Sequence, residues 1–225
     1  MPAIKLSYAM LPDHPVEELI ETIELADELD FYSVCGADEI YHKDMWSIFA
    51  AAARSTSRIR LTTDVTHVIL KDPTIIAQQA ATLDELSGGR VELGYSIGNF
   101  AMLEQYHVAD RAARSLARLR EAHHVLRTLL DEGTLDFEGE FYRYTALFTS
   151  ARPVQERMPI KIGAMRGPRS FELAGEIAEG MHQALAYSRE AMEYGVEHVR
   201  IGADRAGRDW RELDLGARRH RRRRM

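Results

Sequence analysis

Residues 159–180 read PIKIGAMRGPRSFELAGEIAEG. Ile160 and Ile162 alternate with Lys161 and stop at Gly163, after which Phe171, Ala174, Ile177 and Ala178 recur at helical spacing. The pattern predicts a strand, a loop and a helix. Between strand and helix lie Gly163, Ala164, Met165, Arg166, Gly167, Pro168 and Arg169, a loop with backbone freedom and positive charge that leads into a helix start. Free N–H groups at a helix N-terminus, the positive end of the helix dipole and a guanidinium that grips two oxygens together favour an anion such as a phosphate. The same spacing also describes an ordinary βα turn with two solvated arginines.

The unit repeats along the chain without internal sequence repetition. Residues 3–9 read as a strand, and from Pro15 a helix follows, with Val16, Leu19, Ile20, Ile23, Ala26 and Leu29 on one face and glutamates on the other. Phe31 to Val34 is a second strand opening into a polar loop with Asp38 and Glu39. A helix over Met45 to Ala52 ends at Ser55-Thr56-Ser57. Arg58 to Val65 is a third strand, and Pro73 opens a helix that Ser87-Gly88-Gly89 stops. Val91 to Leu93 is a fourth strand leading into Gly94-Tyr95-Ser96-Ile97-Gly98-Asn99, whose glycines would let a ligand approach the backbone. A longer connection, a helix over 110–131 and a hairpin through Leu135-Asp136-Phe137 and Phe141 to Tyr144 precede the fifth strand. Met181 to Ala184 is a weaker sixth strand, Glu190 to Ala206 a helix, and Leu213 to Ala217 the first residues of another strand.

Alternating strands and helices imply an α/β fold with a parallel sheet. Residues of chemical interest gather after each strand, at Asp38-Glu39, at Asp64-Val65-Thr66, at Gly94 to Asn99 and at Gly163 to Arg169. A closed barrel raises all of these loops on one rim, whereas an open sheet collects them at a single crevice, so a (β/α)8 barrel of TIM type is the stronger expectation.

Composition excludes several classes. The chain has 225 residues, 45% of them hydrophobic and 28% charged, with a net charge of −6 and one cysteine, Cys35. It holds no apolar run long enough for a bilayer and no signal-peptide pattern, so a cytoplasmic protein without a membrane role is expected. A lone cysteine in an apolar run rules out a disulfide framework and reads as a buried thiol. His123-His124 lack metal-ligand spacing, so no metal is expected. Nothing in the spacing suggests a Ser-His-Asp or Cys-His arrangement, and no interleaving of bases and aromatics favours nucleic acid. Asp38 and Glu39, in tandem at a strand end, could exchange a proton or hydrogen-bond a polar ring edge, and a solvated acidic loop is the alternative.

The run Thr82-Leu83-Asp84-Glu85-Leu86-Ser87-Gly88-Gly89-Arg90, the glycine loop ending at Asn99, the hairpin around Phe137-Glu138-Gly139-Glu140-Phe141-Tyr142 and the stretch 159–180 fall in an order that resembles the bacterial luciferase-like oxidoreductases. Within that superfamily they look most like the F420-dependent methylenetetrahydromethanopterin reductases. The resemblance implies a (β/α)8 barrel that binds coenzyme F420 or FMN at its C-terminal rim, usually as a homodimer. It also implies a cis peptide between two non-proline residues after the third strand, backing the flavin ring; the matching bond is Asp64–Val65. Relatives often have glycine where Asp64 stands. The family's Asp-His pair appears as Asp38-Glu39, and an acid frequent after the fourth strand appears as Asn99. The phosphate loop matches at Gly163, Ala164, Gly167, Pro168 and Arg169, with Arg166 an added residue.

The expected catalytic residues are therefore Asp38 and Glu39. The expected cofactor contacts are Asp64, Val65, Thr66, Gly94, Ser96, Gly98, Asn99, Gly163, Ala164, Arg166, Gly167, Pro168 and Arg169. The expected activity is hydride transfer between F420 and a small organic substrate. One alternative is an FMN-dependent monooxygenase that consumes O2 and draws reduced flavin from a reductase partner. A barrel needs eight strands, and this sequence supplies six with the start of a seventh. The chain is thus expected to be C-terminally truncated, with residues 1–217 an incomplete barrel domain and the arginine-rich residues 218–225 a non-native or disordered tail. The third reading is an inactive flavin-binding fragment.

Overall fold

A computed structural model describes residues 4–165, 167–184 and 188–217. The expectations for Arg166, for residue 3 and for the tail at 218–225 lie outside the described residues. By its internal contacts the chain divides at Met158/Pro159 into two compact units.

The first unit contains β1 (Ser7–Met10), α1 (Val16–Glu28), β2 (Ser33–Gly36), α2 (Met45–Ser55), β3 (Arg60–Thr63), the two-residue β4 (Thr66–His67), α3 (Pro73–Ser87), β5 (Val91–Ser96), α4 (Phe100–Gln105), α5 (Ser115–Glu132) and a hairpin of β6 (Thr134–Glu138) and β7 (Arg143–Phe148). β1, β2, β3 and β5 pair in that order and in parallel, with Ser7 opposite Ser33, Ser33 opposite Arg60 and Leu61 opposite Val91. Every residue of β2 is buried, as a strand covered on both faces requires. The helices begin where their caps dictate. Asp44 accepts from the Ser47 N–H at 2.8 Å, and Asp72 accepts from the Thr74 N–H at 2.9 Å with Pro73 in the first helical position. α3 ends at Gly88 in the left-handed conformation, φ 69°.

Three buried polar residues tie strands to helices. Asp27 on α1 accepts the N–H groups of Ser57, Arg58 and Ile59 at 3.0, 3.0 and 2.6 Å, which fixes the entry into β3. Arg90 donates to the carbonyls of Ser87, Ile59, Ala53 and Thr56 and to the Thr56 hydroxyl, at 2.7 to 3.1 Å. Asp84 accepts from Val91, Val154 and Gln155 and so holds the segment that leaves the hairpin. The hairpin itself is seated on α5, where the Glu121 carboxylate accepts the N–H groups of Glu140, Phe141 and Tyr142.

The second unit contains β8 (Ile160–Ala164), α6 (Pro168–Ile177), β9 (Gly180–Gln183), α7 (Arg189–Arg205) and β10 (Asp214–Ala217). Its three strands are parallel, with Lys161 opposite Gly180 and Gly180 opposite Asp214. α6 and α7 approach closely because Gly202 packs on the Glu172 carbonyl, where a Cβ would overlap the oxygen. Lys161, nearly buried, pairs with Asp214 at 2.8 Å.

The α/β class and the parallel pairing agree with the sequence reading, and several boundaries differ. The first strand is Ser7–Met10, not 3–9, since residues 4–6 are coil. β5 runs on to Ser96, so Gly94 and Ser96 belong to a strand rather than to the loop after it. The expected third strand is broken at Asp64, and α4 fills part of the expected connection. The helix expected over 110–131 starts at Ser115, after a 3₁₀ turn at Ala109–Ala112. Asp214–Ala217 completes a seventh parallel strand among the described residues. Among these residues no helix is long and apolar enough to cross a membrane, and Cys35 is buried and in no disulfide, its sulfur 3.6 Å from the Ser33 hydroxyl.

Candidate functional site

In the first unit the polar residues that follow β2 and β3 meet around one carboxylate. Asp38 lies two residues past β2 and is buried. Its Oδ2 accepts from the Trp46 indole N–H at 2.8 Å, from the Thr66 hydroxyl at 2.6 Å and from the Lys71 ammonium at 2.6 Å. None of these bonds uses Oδ1. Each donor comes from a different element: Trp46 from the first turn of α2, Thr66 from β4, and Lys71 from the segment between β4 and α3. The Lys71 ammonium also stands 5.6 Å from the centre of the Trp46 ring. Burial alone would push the Asp38 carboxyl up. The Lys71 and Thr66 hydrogen bonds, the Lys71 charge and the Trp46 hydrogen bond outweigh it and hold the carboxyl below its ordinary value. Asp38 is therefore a carboxylate at neutral pH: an acceptor, with no proton to give.

His67, the residue after Thr66, is buried with its Nδ1 out of solvent and without a hydrogen-bond partner. Burial is the main reason its imidazole lies below the ordinary histidine value, with the Lys71 charge adding to that and the Asp38 charge opposing it. It is neutral near pH 7. Gly98, at φ +99°, lies against this ring, and a Cβ there would come within 3.0 Å of the His67 Cβ.

The Asp64–Val65 peptide bond is cis, at the position that the resemblance implies. Asp64 and Val65 are half-buried, and the Asp64 N–H donates to the Gly36 carbonyl at 2.8 Å, which joins the segment to the end of β2. Beside it, Gly94 is clasped by Thr63: the Thr63 hydroxyl donates to the Gly94 carbonyl at 2.8 Å and accepts the Gly94 N–H at 3.0 Å. A Cβ on Gly94 would overlap the Thr63 carbonyl oxygen, so only glycine permits this approach of β5 to β3.

Gly94 to Gly98 also spells G-x-S-x-G, which in hydrolases turns sharply from strand to helix. Here Gly94, Tyr95 and Ser96 are the last residues of β5, with Tyr95 opposite Thr66 and Ser96 opposite His67, and the chain bends only after the serine, at Ile97. The Ser96 carbonyl accepts from the Val68 N–H at 3.0 Å. Asn99 is exposed and caps α4, accepting from the Ala101 N–H at 3.0 Å. Glu39 is half-buried and contributes its backbone carbonyl to the His42 N–H at 3.0 Å. Asp38, Thr66, the 64–65 segment and Gly94 are thus brought together, while Asn99 serves a local helix start.

In the second unit the predicted phosphate loop is the turn from β8 to α6. Gly163 and Ala164 are the last residues of β8, and Gly167 caps α6 with no side chain over the first turn. Pro168 has no N–H, and those of Ser170 and Phe171 return to the Gly167 carbonyl at 3.1 and 3.4 Å. Arg169 brings a first-turn N–H and an exposed guanidinium to the same spot, and a Cβ at Gly167 would meet only the Ser170 hydroxyl at 3.7 Å. This is the open, positive helix start that an anion requires.

Sequence reasoning missed Trp46, His67 and Lys71. One signal was present for Lys71: the chain has four lysines, and this one stands between an apolar run and the helix-opening Asp72-Pro73.

Comparison with known proteins bears on the family and the fold. The family model for luciferase-like monooxygenases matches residues 4–221. The 5,10-methylenetetrahydromethanopterin reductase of Methanolobus tindarius is 28% identical over 207 residues, covering 92% of this chain and 62% of that protein. Among solved structures, the coenzyme F420 dependent tetrahydromethanopterin reductase from Methanopyrus kandleri superposes with a TM-score of 0.88 at 26% identity, over 96% of this chain and 65% of that one. The monooxygenase RslO1 from Streptomyces bottropensis gives 0.84 at 25% identity, over 95% and 70%. The chain therefore spans a little under two thirds of the length of the two reductases. The fold is that of the barrel-type luciferase-like enzymes, and a match over nearly every residue means that the chain belongs to the luciferase-like monooxygenase family of oxidoreductases.

Proposed function

We propose that the protein is an F420-dependent oxidoreductase acting on a small organic substrate, with the Asp38 group of the first unit as the seat for the cofactor's ring. The observation that carries this reading is Asp38 itself, a buried carboxylate whose Oδ2 is saturated by Trp46, Thr66 and Lys71 while Oδ1 is left to accept. A polar ring edge with an N–H matches that acceptor. In the second unit we propose the start of α6, with Gly163, Ala164, Gly167, Pro168 and Arg169, as a seat for a phosphate.

Taken unit by unit, the first supplies an acceptor that fits a ring edge, and the second an N–H and a guanidinium that fit an anion. Bound F420 would supply the hydride chemistry. The chain's own part is to bind and orient: Asp38 fixes the ring edge, Trp46 and Thr66 fix Asp38, and Arg169 neutralises phosphate charge. Because Asp38 holds no proton near neutrality, its role in this reading is a polar contact and not acid catalysis. The match to the Methanopyrus kandleri reductase, which is named as coenzyme F420 dependent, supports F420 as the cofactor. The match to the monooxygenase RslO1 favours a second reading, a monooxygenase, for which FMN and a partner that reduces it are our own assignment. The same family reading expects a cytoplasmic homodimer.

The test is binding and turnover of the full chain with F420 and with FMN. Titration should give tighter binding of F420, and Arg169→Ala should weaken it roughly tenfold or more, as expected for loss of a charged hydrogen bond. Turnover with reduced FMN and consumption of oxygen would favour the second reading. Unchanged affinity in Arg169→Ala would show that the α6 start holds no phosphate.

A further inference from the structure

Three donors converge on Asp38 Oδ2, and they are not equivalent. The Trp46 indole N–H at 2.8 Å and the Thr66 hydroxyl at 2.6 Å are neutral, and a protonated carboxyl could keep both through its carbonyl oxygen. The Lys71 ammonium at 2.6 Å is different, because its attraction depends on the negative charge. The charged and titratable groups around Asp38 are Lys71, from the segment between β4 and α3, and His67, from β4. α2 contributes Trp46, which does not titrate, and His67 is neutral near pH 7. Lys71 is thus the cation that faces a carboxylate whose charge burial opposes. Its own side chain is only about one fifth exposed, so water screens the pair weakly.

We propose that Lys71 is a positioning residue of the candidate site: its ammonium keeps Asp38 anionic, and thereby restricts the site to ring edges that present an N–H donor. An anionic Oδ1 accepts from an N–H and repels a carbonyl or an unprotonated ring nitrogen; a neutral carboxyl could donate to either of those instead. Lys71 therefore selects the ligand through Asp38, without touching the ligand itself. The inference rests on the reading of the Asp38 group as a ring seat, but the state of Asp38 is measurable without any ligand.

The indole N–H of Trp46 reports that state directly, because it is bonded to the titrating carboxyl. The chain has two tryptophans, so in a Trp210→Phe background a single indole resonance remains. In that background the ¹H–¹⁵N shift of Trp46 should stay flat from pH 8 down into the ordinary carboxylate range and move only below it. Lys71→Met should bring the transition up by at least about one pH unit, Lys71→Arg should restore the original profile, and Asp38→Asn should abolish the transition. If Lys71→Met does not fold, Lys71→Gln removes the same charge and carries the same expectation. An unchanged midpoint on loss of the charge, or an arginine variant that titrates like the methionine one, overturns the proposal. F420 affinity gives a separate readout: in Lys71→Met it should fall about tenfold per pH unit below the raised midpoint, while the parent stays flat. If the parent binds no F420 at any pH, the functional reading fails, and the indole titration still decides the role of Lys71.

Discussion

Substituting Gly94 by alanine puts one methyl group where β5 meets β3, and the structure allows its cost to be worked out. The new Cβ would overlap the Thr63 carbonyl oxygen, a backbone atom fixed in a buried strand. Its distance to the Val65 side chain, 3.6 Å, is ordinary contact, so the disturbance falls on the β3 backbone and not on Val65. Over-packing of this kind costs about 1–3 kcal/mol. Relief requires the strands to part, which stretches the two hydrogen bonds between Thr63 and Gly94, together worth about 1–2 kcal/mol net. The expected loss is about 2–4 kcal/mol, or a fall in Tm of about 5–15 °C for a chain of this size. Gly36→Ala is the control, because its Cβ would meet the flexible side chain of Met45, which can change rotamer; its cost should be smaller, near 1–2 kcal/mol. Urea and thermal unfolding followed by circular dichroism measure both. A Gly94→Ala protein within about 0.5 kcal/mol of the parent, or a Gly36→Ala protein that is the less stable of the two, would refute the claim that backbone proximity dictates glycine here.

Two further outcomes concern the buried polar ties. Arg90→Met should cost about 3–5 kcal/mol, since it strands several acceptors that one guanidinium satisfies; a Tm within 2 °C of the parent by calorimetry would contradict that, taking about 2–4 °C per kcal/mol. Asp27→Asn should lose roughly 2–3 kcal/mol at pH 7, because an amide cannot accept all three N–H bonds of residues 57–59. Burial opposes the Asp27 charge, but those backbone bonds and Arg58 win and hold its carboxyl below the ordinary value. A depressed folded value means that the carboxylate's contribution is complete above the unfolded value and is lost as pH falls through the folded one. The gap between parent and Asp27→Asn in urea unfolding should therefore close as pH drops below about 4, and a gap independent of pH would show that the charge is immaterial.

How much of this was legible beforehand differs between the fold and the site. Element type followed from periodicity: the helical spacing of α1, α3 and α7 and the buried run of β2 carry their own signatures, and Asp44, Asp72-Pro73 and Gly88 mark the ends. The misplaced boundaries share a cause. Gly94 and Ser96 lie in a strand because Thr63 and β4 supply partners for them. Glycine was read as loop because local propensity contains no information about Thr63, a hydrogen-bond partner 31 residues away in sequence. α4 was passed over because six residues are too few to show a period.

The site was half legible for the same reason. Asp38 and Thr66 could be chosen because each follows a strand, where a parallel sheet presents its functional ends. Their partners could not, since Trp46 sits on a helix face like any core aromatic and Lys71 sits in a connection. What joins them is the burial of Asp38. A carboxylate eight-tenths or more out of water must find compensation, and it found three donors from three elements. The order of inference can be reversed for chains of this kind: an acid at the end of a buried strand requires a cation nearby, and a scarce lysine beside a helix cap is where to look. Lys161 obeys the same rule in the second unit, buried in a strand and paired with Asp214 on the strand two places along. Lys71 and Lys161 thus both serve as counter-ions to strand-end or strand-start acids, Arg60 does the same for the buried Glu92 of β5 at 2.8 Å, and Arg90 instead binds carbonyls.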